Sequence, residues 1–119
     1  MQTEPKQYKL EDRTRVFAKT VRDFLKLIPR SQSNLEYSKQ LIRSSASIGA
    51  NFIEAAESLS RKDFLMRVKI CRKEAKESIF WLDLIEEGNF LNEKNIIVQE
   101  NTELMKILGA IVTKTASSL

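Results

Sequence analysis

One seam constrains this chain more than any other feature. Leu41, Ser45, Ile48, Phe52, Ala55 and Leu59 recur at alternating spacings of 4 and 3, the period of one helix face. Ile42, Ala46, Gly49, Ile53 and Ala56 form the neighbouring column. Small residues in the middle of this surface let a second backbone approach closely. A glycine inside a helix costs about 1 kcal/mol against alanine, so close packing is the expected reason for Gly49. The stretch Ser44–Ser60 therefore reads as the body of a packed helix, the second of the chain.

Three other segments carry the same period. Leu10, Thr14, Phe17, Val21, Phe24 and Ile28 predict a first helix over about Leu10–Ile28. Glu11 and Asp12 lie in its first turn, where the helix dipole favours negative charge. Pro29 stops it, because the residue before a proline is pushed out of helical geometry. Residues 1–8 are expected to fray. Ser33 offers a capping box with Glu36, which starts the second helix near Asn34 and carries it to about Leu59. Ser60 caps the third helix, with Phe64, Val68, Cys71, Ala75, Ile79 and Leu82 as its inner seam. It runs to about Glu87, and Gly88 supplies a left-handed stop. Asn92 is the expected cap of the fourth helix, which turns Ile97, Leu104, Leu108, Ile111 and Thr115 inward. Residues 116–119 are expected to fray. Four helices with short loops predict an all-α, antiparallel up-down-up-down four-helix bundle, one domain over residues 1–119.

Composition removes whole classes of chemistry. The 119 residues contain no His, which takes away the commonest general base and the commonest metal ligand. Cys71 is the only cysteine, so neither an intrachain disulfide nor a cysteine zinc cage can form. Glu54, Glu57, Glu74 and Glu77 invite comparison with di-metal bundles, but those need Glu-x-x-His from two helices. Serine without histidine lacks its usual activating base, and no glycine-rich phosphate loop is present. The expectation is a protein that is not an enzyme, with no cofactor, no metal and no small-molecule substrate. The N-terminus carries charge without an apolar core, unlike a signal peptide. The longest apolar run, Ile107–Val112, is far below the ~20 residues of a membrane helix. A cytoplasmic protein without membrane contact is expected.

Three surfaces are candidates for function. Arg15, Lys19, Arg22, Lys26 and Arg30 form a basic stripe on the first helix, opposite Phe17, Val21 and Phe24. Lys62, Lys69, Lys73 and Lys76 lie away from the inner seam of the third helix. Aligned cations suit a phosphate backbone, in contacts that weaken with salt and are largely blind to base sequence. They equally suit a solvated face with intrahelical pairs such as Asp23 with Lys19 and Lys26. Charge is uneven along the chain: residues 1–76 hold 17 Lys+Arg against 9 Asp+Glu, and residues 77–119 hold 3 against 7. That asymmetry fits an anionic partner, and also subunits that join basic faces to acidic ones. The second surface is Met66, Ile70, Phe80, Trp81 and Leu84, a further apolar face on the third helix and the expected oligomer interface. The third is the polar column Ser44, Ser47, Asn51, Glu54 and Ser58, either fixing register across helices or facing water.

The segment Leu41–Ile85 resembles the 23S rRNA-intervening-sequence (S23) protein family. The resemblance rests on the Ser-x-Ser-Ile-Gly-Ala-Asn-x-x-Glu-Ala core at Ser45–Ala55, the Ser-x-x-Asp-Phe start at Ser60–Phe64, and Glu77. Ser45, Gly49, Asn51, Glu54 and Glu77 are the motif residues, and the resemblance implies a structural rather than a catalytic role for them. It further implies an antiparallel four-helix bundle that assembles into a homopentamer, with no established molecular function. Relatives include the accessory protein of diversity-generating retroelements, a basic pentamer working with a reverse transcriptase and its RNA. The chain departs from the family pattern at Arg72–Glu74, where small residues are common, which implies altered local packing.

Two readings follow. In the first, this is a non-enzymatic, homo-oligomeric bundle, pentameric by resemblance, that binds RNA or a nucleoprotein such as a reverse transcriptase complex through basic helix faces. In the alternative it is a purely structural or protein–protein interaction module without nucleic-acid binding.

Overall fold

Four helices follow one another in the computed structural model, which describes residues 6–119, with side chains from Lys9 onward. They are α1 (Lys6–Leu25), α2 (Gln32–Ala56), α3 (Arg61–Leu84) and α4 (Leu91–Ser117). Each packs against its neighbours in the chain, α4 closes against α1, and the pairs α1/α3 and α2/α4 stand diagonally apart. This is the expected all-α, antiparallel up-down-up-down bundle. Phe17, Val21, Leu41, Ile48, Phe52, Val68, Cys71, Ala75, Leu82, Leu104 and Leu108 fill the centre.

The helix ends differ from expectation in instructive ways. Of the stretch 1–8, expected to fray, residues 1–5 lie outside the described residues, and the chain is helical from Lys6. α1 stops at Leu25, not Ile28: its last turn tightens through Lys26 N–H to Asp23 O and Leu27 N–H to Phe24 O. Ile28 still reaches the core. The cap of α2 is Ser31, not Ser33. Ser31 is extended, and its hydroxyl accepts from Asn34 N–H at 3.0 Å. The capping box does not form, and Glu36 pairs instead with Lys39. α2 ends at Ala56, which leaves Leu59 outside the seam and 98% exposed.

Ser60 does cap α3, accepting from Asp63 N–H at 3.1 Å. α3 ends at Leu84 rather than Glu87, because Ile85 turns extended and drops its side chain into the core. Its inner seam runs through Leu65, Val68, Cys71, Ala75, Ser78 and Leu82, with Phe64 and Ile79 half-buried at its edges. Asn92 does not cap α4. The cap position is Phe90, which has no side chain to accept a bond. Lys94 steadies this corner instead, donating to Ile85 O at 2.8 Å and meeting Glu87 at 3.2 Å. At the C-terminus α4 continues to Ser117, and the Ser117 and Ser118 hydroxyls bond back to Lys114 O and Thr115 O. In α4, Asn101 and Val112 are buried with Ile97, Leu104 and Leu108, while Ile111 and Thr115 are half-buried.

Two residues set the distances between helices. Gly49 faces Thr14 of α1, and a Cβ there would sit 2.7 Å from Thr14 Oγ1. Close packing is thus the reason for the glycine. Asn34 stitches the two loops at one end of the bundle. Its Nδ2 donates to Pro29 O and Glu86 O, each at 2.9 Å, and its Oδ1 accepts from Glu86 N–H at 3.0 Å. Gly88, at φ 61°, lies against Pro29 in the same knot, where a Cβ would come within 2.7 Å of the proline ring.

Replacing Asn34 by Ala removes three hydrogen bonds and leaves two loop carbonyls and an amide poorly satisfied. At roughly 1 kcal/mol each, Asn34→Ala should destabilise by about 3 kcal/mol, a fall in Tm on the order of 10 °C. Thermal unfolding by circular dichroism measures it, and a change of only a degree or two refutes the knot.

Candidate nucleic-acid interface and surrounding faces

The two basic stripes point in opposite directions. Arg15, Lys19, Arg22 and Lys26 face outward from α1, and Lys62, Lys69, Lys73 and Lys76 face outward from α3, its diagonal partner. The chain therefore presents two cationic faces rather than one continuous surface.

Electrostatically the two faces are unlike. On α1, Arg15 lies 3.8 Å from Glu11 and 3.6 Å from Asp12. Asp23 takes Arg22 at 3.0 Å and Lys26 at 3.7 Å. The hydrogen bond from Arg22 and the nearby cations hold the Asp23 carboxyl below its ordinary pKa, so it stays charged beside them. On α3 none of the four lysines is paired with a carboxylate among the described residues. The nearest acid on the stripe, Glu77, is held by Arg43 of α2 at 2.8 Å. The α3 lysines are all exposed and fully available to an anion.

The expected interface residues of α3 are spread over the same outer face. Met66 is 59% exposed and Phe80 55%, whereas Ile70, Trp81 and Leu84 are half-buried. Trp81 packs on the core and stacks on Tyr37 of α2 at 6.1 Å, and Phe80 meets it edge-on at 5.0 Å. Lys73 and Glu77 interrupt the apolar run.

The polar column is a seam between α2 and α3. Ser44 and Ser78 hydroxyls meet at 2.8 Å in the core, and Ser78 donates to Glu74 O. Arg43 reaches Glu74, which is largely buried, at 3.2 Å as well as Glu77. This accommodates the larger groups at Arg72–Glu74: Glu74 gains an arginine, and Arg72 lies along Gly109 of α4, which lacks a Cβ. Asn51 donates to Ser47 O at 2.9 Å, Ser45 is buried, and Glu54 is exposed near the α2–α3 turn. Thr14 is buried as its place in the first seam predicts, whereas the loop-bridging role of Asn34 and the burial of Asn101 had no sequence signal. Asn101, fully buried, donates to Ala75 O at 2.9 Å, while its Oδ1 has no partner among the described residues.

Apolar exposure is greater on the two flanks of α1. Toward α2, Leu25, Leu35 and Ile42 line a groove of about 660 Å³ rimmed by Arg22, Lys26 and Arg30. Toward α4, Leu27, Phe24 and Ile96, the last 66% exposed, line a smaller groove beside Asp23 and Glu93. One flank is basic and the other acidic.

No group of three metal-ligating side chains occurs among the described residues, and no described helix is long and apolar enough to cross a membrane. Cys71 is buried, and burial pushes its thiol pKa up to about 12. The unreactive thiol form thus prevails at neutral pH. At pH 8, iodoacetamide should label folded protein only as fast as the bundle opens and label unfolded protein at once. Labelling at a free-thiol rate in the folded state contradicts this burial.

The chain is similar to known proteins in both sequence and structure. The family model described as 23S rRNA-intervening sequence protein matches residues 6–110. Among solved structures, a protein of unknown function from the S23 ribosomal protein family of Bacteroides thetaiotaomicron VPI-5482 is 33% identical. It superposes with a TM-score of 0.77 over 87% of this chain and 97% of that one. No match is found among curated proteins.

Proposed function

This chain belongs to the 23S rRNA-intervening sequence protein family, and we propose that it works there as a non-enzymatic, cytoplasmic binding scaffold whose α3 face holds RNA, free or within a nucleoprotein, by its phosphates. The observation that carries this reading is the contrast between the stripes. Three of the five α1 cations already have carboxylates, whereas Lys62, Lys69, Lys73 and Lys76 have none among the described residues. Cations without partners gain most from releasing the counterions of a polyanion.

If four lysines each meet one phosphate, log K should fall against log salt with a slope near −3 for a single strand. Lys69→Glu with Lys73→Glu should remove most of the binding measured by fluorescence anisotropy. Arg15→Glu with Lys19→Glu should cost less. An RNA that does not bind even at ~20 mM salt, where screening is weakest, ends the proposal.

A second reading, compatible with the first, concerns assembly. The flanks of α1 are apolar and opposite in charge, the arrangement that joins subunits head to tail. Heterologous contacts close a ring when the rotation from one subunit to the next divides a full turn. Five subunits is the number the family resemblance implies. The α3 face suits this role less well, since a contact there would take its lysines out of water. Ile42→Asp and Ile96→Asp should each reduce the assembly to single subunits of 13.7 kDa by light scattering. An equimolar mixture of the two should form dimers, because one intact flank remains on each. Wild-type protein that runs as a monomer at micromolar concentration refutes this assembly.

A further inference from the structure

We infer that the outer face of α3 takes single-stranded rather than duplex nucleic acid, with Phe80 as the platform on which a base stacks. This rests on the RNA reading above and names its substrate class. Lys69, Lys73, Lys76 and Phe80 follow at spacings of 4, 3 and 4, so the ring ends a lysine row on one helix face. The ring is open to solvent on its outer side. From behind it is held by Trp81, edge-on at 5.0 Å and 68°, and Trp81 is in turn stacked on Tyr37 at 6.1 Å and 29°. Phe80 is thus a supported ring rather than a loose one, presented beside cations that have no carboxylate partners among the described residues.

That pairing of features is what single strands use. A cationic track follows the backbone, and aromatic rings receive unpaired bases whatever their identity. A duplex hides its bases and offers an exposed ring nothing to stack on. The face from Lys62 to Phe80 is about 27 Å long at the helical rise per residue, which suits the lower part of the range of about 4 to 16 nucleotides covered by single-strand sites. A partner helix is a poorer occupant. Met66 and Phe80 are the large apolar residues more than half exposed here, and they stand about 21 Å apart. An amphipathic helix docks through anchors one turn apart. Base stacking needs a single ring.

The experiment uses the full chain with a 12-nucleotide oligouridine and a 12-base-pair RNA duplex, each end-labelled, at low salt. Wild-type protein should favour the single strand and change the emission of Trp81, the only tryptophan, when it binds. Phe80→Leu should weaken the single strand roughly five- to hundredfold, with the salt slope and the duplex affinity unchanged. Phe80→Tyr should keep the affinity. Melting curves identify any variant that is misfolded, and the exposed position predicts none. The inference is overturned if the duplex binds as tightly as the single strand or if Phe80→Leu leaves single-strand affinity intact. It is also overturned if Phe80→Leu shrinks the assembly by light scattering, or if an acidic peptide displaces nothing but binds through Phe80 itself. Single-strand binding that survives Phe80→Leu but not Lys73→Glu would leave the phosphate reading standing without the stacking. Failure of both RNAs to bind removes both.

Discussion

The side chain of Asn34 holds two connections that lie 52 residues apart in sequence. One amide group meets a carbonyl before the second helix and both polar groups of Glu86 after the third. Inside a protein a backbone group without a partner costs more than its partnered form gains, so these loops have a single low-energy way to lie together. The helices inherit their register from that arrangement. Pro29 follows the last turn of α1 within it, Gly88 leaves the loop room beside the proline, and Lys94 holds the carbonyl of Ile85 just past α3. Hydrophobic burial supplies most of the driving force. The polar knot decides which ends meet.

Charge is distributed with the same economy. α1 carries its own counterions one turn away, and a bidentate contact from Arg13 to Glu100, at 2.7 and 2.8 Å, ties it to α4. The carboxylate hydrogen bond holds the Arg13 guanidinium pKa above its ordinary value. On α2 and α3, Arg43 pairs with the buried Glu74 and with Glu77. On the outer side of α3 Arg43 engages Glu77, while Asp63 and Asp83, at the two ends of the helix, are exposed without an ion pair among the described residues. The same helix also bears the most exposed aromatic ring of the cluster, so charge and stacking surface coincide on it.

Periodicity made the architecture readable before any coordinates. Seams such as Phe17–Val21–Phe24 and Leu41–Ile48–Phe52 need only the helical period, and all six residues are buried. Ser60 and Gly88 were legible because a cap and a left-handed turn each demand few residue types. The misplacements share one cause. Ser31 and Ser33 are equally good caps in isolation, and the choice fell to Ser31 because Asn34 is needed in the knot with Glu86. Leu59 fits the seam by spacing, yet the helix ends three residues earlier. Asn101 carried no signal in the sequence, and its bond to Ala75 O makes it internal. Basic residues were easy to find along the chain. That they divide between diagonal helices, one group with counterions and one without, is a property of tertiary neighbours and had no local signal.

The two ends of the bundle are unequal. Both loops at the Asn34 end are fastened to each other. At the far end the chain crosses once, through the short turn after Ala56, where Leu59 stands almost wholly in water. The molecule is in effect a pair of helical hairpins, α1–α2 and α3–α4, packed along α2 and α3 and clasped where their tips touch. A nick beside Leu59 would separate the hairpins covalently while leaving the clasp intact. Two such fragments would carry, in Asn34 and Glu86, the instructions for finding each other again.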